Sequence, residues 1–102
     1  MSNYIISLKH TGKNDPVVTF WRPESIGYAV AVDSAGIYEN ADIEEGYHTD
    51  ELNIARPKYM VEPLLKKMSY GDFKNVLMLP NTKKTWRALG HEEMAEWVSA
   101  EK

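Results

Sequence analysis

The chain has no cysteine, which excludes disulfides, thiolate zinc sites and a cysteine nucleophile and fits a reducing compartment. It also lacks any long apolar run. The opening Met-Ser-Asn-Tyr-Ile-Ile-Ser-Leu-Lys is far too short in apolar residues for a signal-peptide core or a membrane span. A full-length cytoplasmic protein is therefore expected. No glycine-rich phosphate loop follows a strand, and none of Ser7, Ser25, Ser34, Ser69 and Ser99 sits in a nucleophile elbow. Of the three histidines, His10 is expected to end a strand and His91 to start a helix, both ordinary places for a surface histidine, and His48 falls in a loop. No catalytic residue is assigned, and the chain does not read as an enzyme.

What is present suits one domain spanning residues 1–102, with a core but little surplus stability. An apolar fraction of 43% and a charged fraction of 26% argue against wholesale disorder. The net charge of −3 conceals a division. From Glu24 to Glu51 there are eight acids and no Lys or Arg, whereas from Arg56 to Arg87 eight bases face only Glu62 and Asp72. Two solvated faces, attracting each other within the fold or across a homodimer, explain this as well as a basic half that holds an anion. The overall charge does not suit a nucleic-acid binder.

The element pattern is α+β: an antiparallel β-meander sheet packed against C-terminal helices. Tyr4–Lys9, Val17–Trp21 and Tyr28–Val32 read as strands, and their connections are too short for crossover helices. Thr11–Pro16 and Ser34-Ala35-Gly36 read as turns, Glu39–Glu45 as one acidic helical turn, and Gly46–Asp50 as loop. Leu52–Arg56 is a short strand ended by Pro57. Lys58–Met68 shows helical spacing, with Pro63 in conflict. Tyr70-Gly71-Asp72 is a turn before the apolar strand Asn75–Leu79, which is expected to extend the meander. Asn81 is the expected N-cap of a helix carrying Trp86 and Leu89 and ending at Gly90. A last helix, His91–Ala100, has Met94, Trp97 and Val98 as its apolar stripe.

Two groups of residues suggest binding. On a strand, Val18 and Phe20 share one face and Thr19 and Trp21 the other. With Phe20 in the core, Trp21 either lies beneath the C-terminal helix or lines a pocket with Arg22 and Tyr28, residue types enriched where proteins bind. The second group is Lys83, Lys84, Trp86 and Arg87, which repeats the Trp-Arg pairing at a helix start suited to anions; a capped helix with a solvated basic turn is the alternative. His48, Asp50 and Glu51, near Asp42, Glu44 and Glu45, offer metal donors. They lack both the glycine-centred calcium loop and the His-x-x-x-His spacing, so no metal and no cofactor is expected.

The string Phe20-Trp21-Arg22-Pro23, then Gly27-Tyr28, then Ala35-Gly36-Ile37-Tyr38, resembles small accessory proteins of tailed bacteriophages and prophages. Leu8-Lys9-His10-Thr11 and the late Asn81-x-x-x-x-Trp86-x-x-Leu89 are similar as well. The resemblance implies a phage accessory protein acting in the bacterial cytoplasm, where such proteins often counter host defence. The expected function is sequestration of a small anionic ligand such as a signalling nucleotide, at a site that a homodimer could share. The alternative is an inhibitor that occludes a host defence protein through the acidic segment or an aromatic patch. A nucleotide hydrolase is a third reading.

Overall fold

A computed structural model describes residues 2–44 and 51–101 of the chain. Its centre is β1 (Ser2–Ser7), whose Tyr4-Ile5-Ile6 run is buried. Successive strand residues point to opposite faces, so hiding all three requires cover on both sides. One edge of β1 pairs along Asn3–Ser7 with β5 (Asn53–Pro57). The other edge is shared between two short strands. β2 (Phe20–Trp21) meets it at Ile6, and β4 (Tyr38–Glu39) meets it at Ser2 and Asn3. β3 (Tyr28–Ala29) pairs with β2, and every pairing is antiparallel.

The expected meander is therefore present as β1–β2–β3, in shorter strands than the sequence suggested. Val17 and Val18 are extended but lie against Pro80 and Leu79, with Val18 N–H donating to Leu79 O at 2.9 Å. Beyond Ala29 the pairing ends, and Val32–Ser34 winds into a 3₁₀ turn. A short helix, α1 (Asn40–Glu44), follows β4. The expected loop Gly46–Asp50, and with it the metal donors Glu45, His48 and Asp50, lies outside the described residues.

Two expectations fail around Pro63. The helix expected over Lys58–Met68 is only α2 (Lys58–Val61), followed by a 3₁₀ turn over Glu62–Leu64. Pro63 has no N–H to continue the helical ladder, so a second turn is not built. The chain instead becomes β6 (Lys66–Tyr70), which pairs with β7 (Phe73–Met78). Only Gly71 and Asp72 separate the strands, and Gly71 sits at φ +59°, the left-handed conformation that tight hairpins require. The Asn75–Leu79 segment thus belongs to a separate two-stranded sheet and does not extend the meander.

α3 (Lys83–Ala88) and α4 (Glu92–Trp97) close the core. Tyr4, Ile6 and Phe20 from the sheet, with Val18 just before β2, meet Trp86, Leu89, Met94 and Val98 there. Thr82, rather than Asn81, caps α3, its Oγ1 accepting from Thr85 N–H at 3.1 Å. Asn81 is buried and acts as a clamp. It accepts from Trp86 Nε1–H at 2.7 Å and donates through Nδ2 to Gly12 O and Asp15 O. Trp97, expected in the buried stripe, is 46% exposed. At roughly 100° per residue, the buried arc centred between Met94 and Ala95 leaves Trp97 about 110° away. Among the described residues, no helix is long and apolar enough to cross a membrane.

Candidate functional site

The site grows from the turn after β2. Arg22 N–H donates to Gly27 O at 3.0 Å and Ile26 N–H to Pro23 O at 3.2 Å, so the chain folds back within five residues. Gly27 supplies a left-handed conformation at φ +83°, and Glu24 and Ser25 adopt φ of 58° and 59° although they carry side chains. Non-glycine residues held there store strain and need external support. Tyr38 gives that support. Its hydroxyl donates to Arg22 O and accepts from Ser25 N–H, the latter at 3.1 Å. Gly36 N–H donates to Trp21 O at 2.9 Å, and a Cβ at Gly36 would lie 2.7 Å from Pro23 N. Ala35-Gly36-Ile37-Tyr38 is therefore a brace that sets the position of Trp21-Arg22-Pro23.

Pairing of β2 with β3 puts Tyr28 opposite Trp21, with ring centroids 4.4 Å apart. Trp21 is half-buried, and its Nε1–H donates to Asn53 Oδ1 at 2.6 Å. The His10 ring lies 3.8 Å from that of Tyr28. His10 is held from beneath, because its backbone N–H donates to Ser7 Oγ at 3.2 Å and its Nδ1 lies 3.0 Å from the same oxygen. Thr11 Oγ1 donates to Ser7 O and accepts from Thr19 N–H, while Thr19 Oγ1 donates to His10 O. Three hydroxyl side chains thus fix the segment that carries His10.

Arg22, His10, Thr19 and Tyr28 border an open cleft of about 350 Å³, which Phe73 at the hairpin tip closes on one side. Among the described residues its lining contains a guanidinium, an imidazole and two aromatic rings, and no carboxylate. In a chain with an excess of acids, that composition favours a flat, negatively charged occupant. A wider groove of about 760 Å³ near Trp97 mixes Lys9 with Glu51 and Glu93 and has no such preference.

Of the residues singled out in the sequence, Trp21, Arg22 and Tyr28 come together here. The other four do not join them. Trp86 is fully buried in the core and offers a ligand no surface. Lys83 Nζ donates to Ala95 O at 3.1 Å and Glu96 O at 3.3 Å, placing its charge on the last carbonyls of α4. Arg87 pairs with Glu92 at 3.3 Å on the open surface. Lys84 borders a different cleft with Lys66, between Pro63 and Thr85. Trp21 is covered on one side by Tyr28, so it forms the wall behind the cleft rather than its contact face.

His10 and Phe73 are the residues that sequence reasoning missed. The only signal for His10 was its place in the Leu8–Thr11 segment, and nothing local brings Phe73 to the meander. No family model, curated protein or solved structure matches the chain.

Proposed function

We propose that this protein binds and sequesters a small, flat, anionic ligand such as a signalling nucleotide, without altering it chemically. What supports the reading is the cleft between β2, β3 and the hairpin tip, which joins the Arg22 guanidinium and the His10 imidazole to exposed aromatic surface and, among the described residues, carries no opposing carboxylate. Its volume is at the lower end of the roughly 300–1,000 Å³ usual for ligand sites. On the resemblance to phage accessory proteins, the proposed setting is a bacterial cytoplasm, where the protein would counter a host defence that works through a nucleotide signal.

Thermal shift against a panel of nucleotides identifies the ligand. Heat denaturation of the complex then separates the mechanisms: a sequestering protein returns the nucleotide intact, whereas a hydrolase returns product. Arg22→Ala is expected to weaken binding at least tenfold, since a hydrogen bond to a charged group contributes about 1.5–3 kcal/mol. Lys83→Ala/Lys84→Ala is expected to leave affinity unchanged, because neither side chain borders the cleft. Circular dichroism controls for folding. If no nucleotide shifts the melting temperature, the occluding inhibitor, acting through the acidic segment or an aromatic patch, becomes the better reading.

A further inference from the structure

Ser7 is 1% exposed, so its hydroxyl must be satisfied within the protein. Its oxygen already accepts from the backbone N–H of His10 at 3.2 Å. Its hydrogen needs an acceptor, and His10 Nδ1 stands 3.0 Å away. If Nδ1 carried the proton, the Ser7 oxygen would accept twice and its own hydrogen would be buried without a partner, which costs about 1–3 kcal/mol. The network is complete only when Ser7 donates to a bare Nδ1. The imidazole proton is then on Nε2, at the opposite end of the ring from the buried hydroxyl. Nε2 has no partner among the described residues, and His10 borders the cleft.

We infer that Ser7 locks His10 in the Nε2–H form as a second hydrogen-bond donor beside Arg22, making the cleft selective for a phosphate monoester attached to a single flat ring system. This rests on the ligand-binding reading above and narrows it. The guanidinium fork satisfies two oxygens in parallel, which uses up a carboxylate. A phosphate monoester has a third terminal oxygen left for the His10 donor. A cleft of about 350 Å³ suits one ring system and one phosphate rather than a linked dinucleotide. His10 would contact the phosphate directly, and Ser7 would act as the positioning residue through the tautomer.

The test uses the four common nucleoside 5′-monophosphates and their parent nucleosides as probes, titrated calorimetrically against the whole chain. Wild type should bind at least one monophosphate about tenfold or more tighter than its nucleoside. His10→Ala should narrow that preference, costing the monophosphate more affinity than the nucleoside, while Arg22 still holds two of the phosphate oxygens. His10→Gln, whose amide can donate from near the Nε2 position, should restore most of it. Independently of any ligand, long-range ¹H–¹⁵N correlation at neutral pH should show His10 protonated at Nε2 and bare at Nδ1, and Ser7→Ala should give a mixture of tautomers. A dominant Nδ1–H form in wild type overturns the lock. A monophosphate that binds wild type and His10→Ala equally well overturns the contact but leaves the ligand-binding reading standing. If no monophosphate binds wild type, the monoester selectivity is overturned, and the ligand-binding reading is then decided by the wider nucleotide panel.

Discussion

Replacing Gly36 by alanine tests the link between the fold and the cleft. Gly36 has no left-handed backbone to protect, so the cost of a side chain there is steric alone. A Cβ would stand 2.7 Å from Pro23 N and 2.8 Å from both Arg22 C and Pro23 Cα. All three are backbone atoms, so no rotamer change relieves the overlap. Reaching ordinary van der Waals contact, from 3.4 Å outward, requires the two segments to separate by about 0.7 Å. Overpacking of this kind costs about 1–3 kcal/mol. The same separation stretches the 2.9 Å bond from Gly36 N–H to Trp21 O, which adds up to about 1 kcal/mol. Gly36→Ala should therefore lose about 1–4 kcal/mol, out of the 5–15 kcal/mol typical of a domain. Urea unfolding should show a lower midpoint with an unchanged slope. Because the brace positions Arg22, ligand affinity should fall as well, even where the variant is still fully folded. Replacing Pro23 by alanine in the same chain should give no rescue, since the backbone N and Cα that Gly36 meets are still there. A loss under about 0.5 kcal/mol, the range of neutral surface changes, would mean that Gly36 does not pack on Arg22–Pro23 and that the brace is wrong.

Two further outcomes separate core from surface. Trp86→Ala should cost about 3–5 kcal/mol in chemical denaturation, because the indole is fully buried and its N–H is bonded to Asn81, whereas Trp97→Ala, at a half-exposed site, should stay within about 1 kcal/mol. In alkali, stability should fall between pH 10 and pH 12. Burial, then the hydrogen bond and charge of Glu62, push the Tyr4 phenol up to about 12, so the folded state keeps a proton that the unfolded chain releases from about pH 10 upward. That stabilisation is fully present below pH 10 and disappears as pH rises through 12. Two units correspond to at most roughly 2–3 kcal/mol. Urea midpoints for wild type and Tyr4→Phe should therefore converge over this interval, and a constant gap between them would remove Tyr4 as the cause.

The sheet was legible where local pattern and tertiary packing agreed. Val18 and Phe20 alternate with Thr19 and Trp21 in sequence, and in the fold the first pair is fully buried while the second is only partly covered. The stretch from Lys58 onward was not legible, because its apolar residues fit a helical period while Pro63 denies that period its hydrogen bonds. Lys66–Tyr70 took its conformation from a partner strand that local spacing does not reveal. The β4–β1 and β5–β1 pairings were hidden for the same reason. Each joins residues at least 35 positions apart, as in Asn3 with Tyr38 and Asn3 with Pro57. The last helix misled differently. Met94, Trp97 and Val98 have the right spacing, but the helix stops at Trp97, and Ala95 turns its buried face away from the indole.

The candidate site divides along the same line. Trp21, Arg22 and Tyr28 lie close in sequence and are joined by one strand pairing, so their proximity in the fold was legible locally. Lys83, Lys84 and Arg87 matched them in residue type, and residue type carries no information about distance. Lys83 is occupied by the end of α4 and Arg87 by Glu92, so two of the three bases answer needs of the fold. Trp86 shows the limit of arguing from an aromatic next to an arginine: the same Trp-Arg pair is a cleft wall at Trp21-Arg22 and a core anchor at Trp86-Arg87. The difference lies in what receives the indole N–H. Trp21 donates to Asn53, and one face of its ring is left to stack with Tyr28. Trp86 donates to Asn81, which also holds the Gly12–Asp15 turn, and so it is enclosed on all sides. Ala35-Gly36-Ile37-Tyr38 likewise gains its meaning from what it touches. In sequence it is a glycine beside an aromatic, like Gly27-Tyr28. In the fold, Tyr28 forms the cleft, and Gly36 and Tyr38 hold the turn that aims Arg22 into it.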